Sequence, residues 1–187
     1  MTKHLNMAEL EAGLAQVQES PADGGVVQMI VARPADGERR VLAQGELTVA
    51  NGLEGDNWRA RGSKRTADGS AHPEMQLTLM NGRFLNLAAN DDRERWPLAG
   101  DQFIVDMDLS VENLPVGQQL QLGTAVVEVT AVPHTGCAKF TDRFGMDAVK
   151  FANSDVGRAL RLRGLYVKVV EPGVVQTGDA VLKVGRE

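Results

Sequence analysis

The chain is punctuated by glycine-bearing corners: "NGLEGD" (51–56), "LAGD" (98–101), "PVGQQLQLG" (115–123) and "EPGVVQTGD" (171–179). Each sets a glycine beside a polar or acidic residue, which is turn chemistry. Between the corners lie short apolar runs with the period-2 alternation of strands. In "MQLTLM", Met75, Leu77 and Leu79 alternate with Gln76 and Thr78, and "TAVVEVTAV" puts Ala125, Val127, Val129 and Ala131 on one face. Further strand candidates are "VVQMIVARP", closed by Pro34, then "ERRVLAQGELTV", "DQFIVDMD", "LYVKVV" and "DAVLKV". Many short strands with such corners predict a mainly β chain, a closed or nearly closed β-barrel rather than alternating βαβ units. Closure removes unpaired strand edges.

Helical spacing is confined to three places. Met7, Leu10, Leu14 and Val17 fall at steps of 3, 4 and 3, so residues 3–19 are expected to form one amphipathic helix, ended by "SPADGG" and packed on the body or on a partner subunit. "MNGRFLNLAANDDRERWP" reads as a short helix followed by a charged loop. "MDAVKFANSDVGRALRLR" carries Ala148, Ala152, Val156 and Leu160 at helical steps of four. The expected organisation is an N-terminal helix and linker over 1–24, then the barrel domain over 25–187, with a polar basic loop at 57–74. The N-terminal helix could mediate a homodimer.

Bulk properties narrow the function classes. The 187 residues suit one domain with a sizeable core. A net charge of −5 and 4% aromatics argue against general nucleic-acid binding and against base-stacking platforms. The single cysteine cannot make an internal disulfide. With no signal-peptide run and no apolar stretch long enough to span a bilayer, the expectation is a cytoplasmic protein with no membrane segment.

That cysteine, Cys137, lies in "HTGCAKFTDRFG". From Cys137 to Lys168 the chain holds Lys139, Arg143, Lys150, Arg158, Arg161, Arg163 and Lys168 against Asp142, Asp147 and Asp155, a local excess of +4 in an acidic protein. Positive surroundings favour a thiolate and hold a phosphate or oxyanion. A buried, inert cysteine and a solvated arginine face are the plain alternatives. His134, three positions earlier, could act as the base for Cys137 or serve a structural role. Zinc is poorly served: His134 and Cys137 give two ligands, and only His4 and His72 remain.

The stretch "DLSVENLPVGQQLQLGTAVVEVTAVPHTGCAKF" resembles the core of the MOSC domain, the C-terminal domain of molybdenum cofactor sulfurases, as a standalone bacterial-type member. The likeness is carried by Asp108-Leu109, Glu112-Asn113-Leu114, Gly117, Leu120, Leu122-Gly123 and Pro133 to Cys137. Gly52 to Asp56 upstream and Gly178-Asp179 downstream are similar to the family's Gly-Asp turns. The likeness runs from about residue 25 to 185. The His- and Gly-rich stretch of bacterial members reads "NWRARGSKRTADGSAHPE" here, with only His72.

The resemblance implies a barrel related to that of pyruvate kinase, and a cysteine that handles sulfur or ligates molybdenum. It implies the molybdenum cofactor (molybdopterin) and no pyridoxal phosphate, because the desulfurase that carries pyridoxal phosphate in the sulfurases is missing. On this reading Cys137 is the metal ligand or sulfur acceptor. Lys139, Arg161 and Arg163 are candidates for the pterin phosphate, and Asn113 for the pterin or its own loop. Asp56 and Asp101 are turn residues, with ligand contact as a further option for both. Three functions stay open: a cofactor-binding or sulfur-carrying module serving a sulfur donor or partner oxidoreductase, a molybdenum-dependent reductase of N-hydroxylated compounds, and a metal-free interaction protein.

Overall fold

The structure, a computed structural model, describes residues 3–185. Eleven strands form: β1 (Gly25–Ala32), β2 (Arg40–Leu42), β3 (Gln44–Thr48), β4 (Gly52–Leu53), β5 (Leu77–Asn81), β6 (Phe103–Asp106), β7 (Gln119–Leu122), β8 (Ala125–Val129), β9 (Leu165–Glu171), β10 (Gly173–Gln176) and β11 (Ala180–Val184). Seven of them pair in the order β11-β7-β8-β9-β5-β6-β1, and β11 returns to β1 to close a barrel. Gly25 and Val26 meet Val181 and Ala180 at the seam. All barrel pairs are antiparallel except β5 and β6, whose parallel pairing needs a crossover. That crossover is α4 (Gly82–Ala88) and a 3-10 turn at Arg93–Ala99. β2 extends the barrel sheet beyond β1, and β10, β3 and β4 form a second small sheet.

The alternation within β5 and β6 explains why β5 is buried throughout and β6 as far as Val105. Leu77, Leu79, Phe103 and Val105 point into the barrel core, while Met80 and Ile104 point outward into a second core roofed by helices. The roof contains α1 (Met7–Ala12), α2 (Leu14–Gln18), α4, α5 (Ala138–Phe144) and α6 (Met146–Asn153). Two further short helices, α3 (Trp58–Arg61) and α7 (Asp155–Ala159), flank the site region.

Four local expectations need correction. The N-terminal helix is two helices meeting at Gly13, where a Cβ would lie 2.5 Å from a Leu87 methyl group. Its stripe faces the body, with Leu10 and Val17 buried in the second core. "ERRVLAQGELTV" is split between β2 and β3, which belong to different sheets. Two corners contain strands: β7 lies in "PVGQQLQLG", with Leu120 and Leu122 inward, and β10 in "EPGVVQTGD". The step-of-four stripe over 148–160 breaks at Ser154, which turns extended and caps α7, so Val156 is left exposed.

Candidate active site

After β8 the chain runs through 130–137 into α5. Thr130 anchors its start by donating from Oγ1 to the Glu74 carbonyl at 2.7 Å. Gly136 anchors its end, where its N–H donates to Asn153 Oδ1 at 3.0 Å. Cys137 is the residue before α5, in extended geometry, with its side chain exposed and free of any capping bond.

Cys137 sits at a small pocket of about 160 Å³. Arg33, Arg39, Arg61, Lys139 and Arg143 line it, together with Asp36. Two of these cations are committed. Arg33 lies in a two-pronged pair with buried Asp56, at 2.9 Å on each oxygen, and donates to the Gly100 carbonyl at 3.1 Å. Lys139 reaches exposed Asp36 at 3.0 Å. Among the described residues Arg39 and Arg61 have no carboxylate partner. Arg39 Nε is buried without any partner, and the guanidinium lies over Gly100, whose positive φ and close approach (3.2 Å from its absent Cβ to Arg39 Nη2) leave room for it. Burial, followed by the Arg143 and Arg33 charges, holds the Arg39 pKa below its usual value, and burial followed by Arg33 does the same for Arg61. Repulsion of this kind among cations is relieved by a bound anion.

The other expected site residues are dispersed. Arg163 is buried beneath α5, with its guanidinium 4.6 Å over the Phe140 ring and Nη1 donating to Asp101 Oδ2 at 2.7 Å. It lines the neighbouring cleft rather than the Cys137 pocket, and at 7% exposure it carries its counter-charge in the core. Asp101 is therefore the partner of a buried ion pair rather than a simple turn residue. Arg161 donates from Nη1 to the Leu114 carbonyl at 2.6 Å and lines that same neighbouring cleft. Asn113 is occupied in the chain itself: its amide donates to the Asp108 and Ala22 carbonyls at 2.7 and 2.9 Å, and it accepts from Lys183 Nζ. Asp56 takes three hydrogen bonds from Arg33, counting its backbone N–H, and a fourth from the Trp58 N–H.

No hydrogen bond joins His134 to Cys137, and the two line separate concavities. His134 stacks on Tyr166 with ring centroids 4.5 Å apart, and its Nδ1 faces Asp101 Oδ1 at 3.7 Å. Burial first, then the Arg163 and Arg33 charges, holds its pKa well below the ordinary 6.5, so the ring is neutral at neutral pH. Among the described residues no group of three or more His, Cys, Asp and Glu side chains is placed to hold a metal ion.

Of the cations round Cys137, Lys139 and Arg143 belong to the basic segment noted in the sequence, while Arg33, Arg39 and Arg61 come from far upstream. Those three lie in "ARPADGERR" and "NWRAR", where arginines flank turn residues, but nothing in either segment says that it meets Cys137.

The MOSC domain family matches residues 85–182, from α4 to the start of β11, just over half of the chain. The chain belongs to the MOSC domain family. Solved structures agree on the fold. The YUAD protein of Bacillus subtilis is 15% identical, with a TM-score of 0.65 over 87% of this chain and 97% of its own. YiiM from Escherichia coli is 20% identical, with a TM-score of 0.54 over 87% of this chain and 71% of its own. YiiM from Geobacillus stearothermophilus is 14% identical, with a TM-score of 0.52 over 88% and 74%. No curated protein matches the chain in sequence. MOSC domains are associated with the molybdenum cofactor at the level of the family. No helix among the described residues is long and apolar enough to cross a membrane.

Proposed function

We propose that this MOSC domain is a binding and sulfur-carrying module for the molybdenum cofactor, with Cys137 as the sulfur that meets the metal or carries the transferred sulfur. The observation that carries the reading is an exposed thiol at a pocket where Arg39 and Arg61 have no carboxylate partner among the described residues. Those residue types suit an anionic group with a soft metal: a cysteine sulfur binds such metals, and guanidinium groups bind phosphate and oxyanions.

The pocket of about 160 Å³ takes a phosphate or a metal centre, not a whole pterin. A groove of about 590 Å³ along Gly62, Ser63, Lys64, Thr66 and Gly69 shares Arg61 with it and offers room for the rest. When bound, the cofactor supplies metal-centred redox chemistry. The chain itself does four things. Cys137 offers the sulfur, Arg39 and Arg61 receive the anionic group, the Arg33–Asp56 pair fixes the pocket wall, and the Arg163–Asp101 pair seats α5. Cys137's exposure and the pocket's small size favour a cofactor that is handed on over one permanently enclosed. The reductase reading keeps the same site and differs in turnover.

The test is purification from a host that makes the cofactor. Molybdenum and fluorescent pterin near one per chain are expected, with loss of both in Cys137→Ser while the melting transition stays in place. Retention of metal by the serine variant contradicts the ligand assignment. Turnover of a hydroxylamine with an artificial reductant selects the reductase reading.

A further inference from the structure

Of two concavities bordering the 130–137 segment, the larger is not at Cys137. It is a cleft of about 490 Å³, within the range of small-molecule sites. Its apolar wall comes from Val111, Val132, Pro133 and Leu165. Its polar side chains are Arg158, Arg161, Arg163, His134, Thr130 and Thr135, of which Arg163 is already paired with Asp101, and no carboxylate lines it.

Arg158, Arg161 and His134 are the groups available to a ligand. Arg158 is exposed and its guanidinium has no hydrogen bond or ion pair among the described residues. Arg161 is anchored through Nη1 to the Leu114 and Leu109 carbonyls, which fixes its plane and leaves its remaining N–H groups to donate elsewhere. Its backbone is in the left-handed region at φ 48°, uncommon for a residue with a side chain. His134 is 10% exposed, and its Nδ1 is turned inward on Asp101 and has no hydrogen-bond partner. The ring borders the cleft. In the neutral tautomer with its proton on Nδ1, the opposite nitrogen, Nε2, is an acceptor.

We infer that this cleft is a second small-molecule site, separate from the Cys137 pocket, for an organic anion with an aromatic or branched apolar body. Arg158 and Arg161 receive its carboxylate or phosphate, the apolar wall receives its body, and His134 Nε2 accepts from a hydroxyl or amine on it. Two guanidinium groups with no counter-carboxylate exclude a cationic ligand, and the neutral imidazole adds an acceptor without adding charge. The inference does not depend on molybdenum: it uses none of the residues round Cys137.

The test is titration of the full-length protein with 4-hydroxybenzoate, followed by amide shifts in nitrogen-15 NMR. Saturable shifts are expected at Val111, Thr135, Gly164 and Leu165. Arg158→Glu, at an exposed position outside the core, should weaken binding by about tenfold, and Arg158→Ala by less. The neutral methyl ester should bind more weakly than the acid and should ignore both substitutions. Cys137→Ser should bind the acid as the native protein does. Absence of saturable shifts up to about 10 mM probe would overturn the proposal, as would undiminished affinity in Arg158→Glu. So would shifts centred on Gly100 and Lys139, or loss of binding in Cys137→Ser, since either result puts the probe in the Cys137 pocket.

Discussion

His134 shows how burial sets the behaviour of one side chain. Its ring is stacked on Tyr166 and faces Asp101, with the Arg163 and Arg33 charges close by. Of these groups the arginines and the burial win over the carboxylate, because Asp101 is already committed to Arg163 at 2.7 Å. The folded ring therefore refuses a proton that the unfolded chain takes up near pH 6.5. Stability from this residue is fully present above that pH. It is lost as the pH falls through the window below, by up to about 1.4 kcal/mol per pH unit. Carboxylates with lowered values, such as Asp36 and Glu54, titrate from ordinary values of 3.8 and 4.5 downward and so act at lower pH. Urea denaturation at pH 7.5 and 5.5 checks this: His134→Phe should lose less stability on acidification than the native protein. Equal losses would show that His134 takes a proton freely in the folded state.

The same residue scale shows what the sequence could tell. Cys137 and Lys139 were legible because they share one short segment. Arg33, Arg39 and Arg61 were not, because chain distance says nothing about which strands a barrel brings together: Lys139 meets Asp36 across 103 positions. Arg163 was misplaced for a different reason. A basic run looks uniform in sequence, yet within it Lys139 and Arg143 reach the Cys137 pocket, Arg158 and Arg161 a second cleft, and Arg163 the buried floor of that cleft, paired with Asp101.

At the scale of elements, period-2 runs found the strands whose inward face is apolar. The alternation of β8 was legible because Ala125, Val127 and Val129 enter the barrel core. β7 and β10 were hidden inside corners because each is four residues long and flanked by glycine. The join between α7 and β9 is decisive for the site. Gly164 has φ 98°, and a Cβ there would lie 2.3 Å from the Leu79 carbonyl oxygen and 3.3 Å from His134 Nδ1. Gly164→Ala should therefore destabilise the fold by about 2 kcal/mol or more and displace His134. Chemical denaturation together with the chemical shifts of the His134 ring measures both effects. An alanine variant as stable as the native protein would contradict the close packing of β5 against this turn.

At the scale of the molecule, closure is what turns seven strands into a platform. The seam between β1 and β11 is short, carried by Gly25, Val26, Ala180 and Val181, and supported by the Lys183 N–H donating to Asp23 Oδ1 at 2.8 Å. Gly25 is required there: a Cβ would lie 2.5 Å from the Asp106 carbonyl oxygen and 2.8 Å from Met107 Cβ. Gly25→Ala should cost about 1–3 kcal/mol and raise amide exchange along β11 before the rest of the barrel. Uniform exchange would mean that the seam does not open first. The barrel class was readable from the corners alone. The two-core arrangement was not, because alternation shows which residues share a face of β5 or β6 and does not show that helices cover the outer one.

Cys137 is proposed as the sulfur at the metal. X-ray absorption at the molybdenum edge, on protein loaded with the cofactor, counts the sulfur atoms round the metal. The native protein should show one sulfur more than Cys137→Ser loaded in the same way. The same sulfur count in both proteins would contradict the assignment of Cys137.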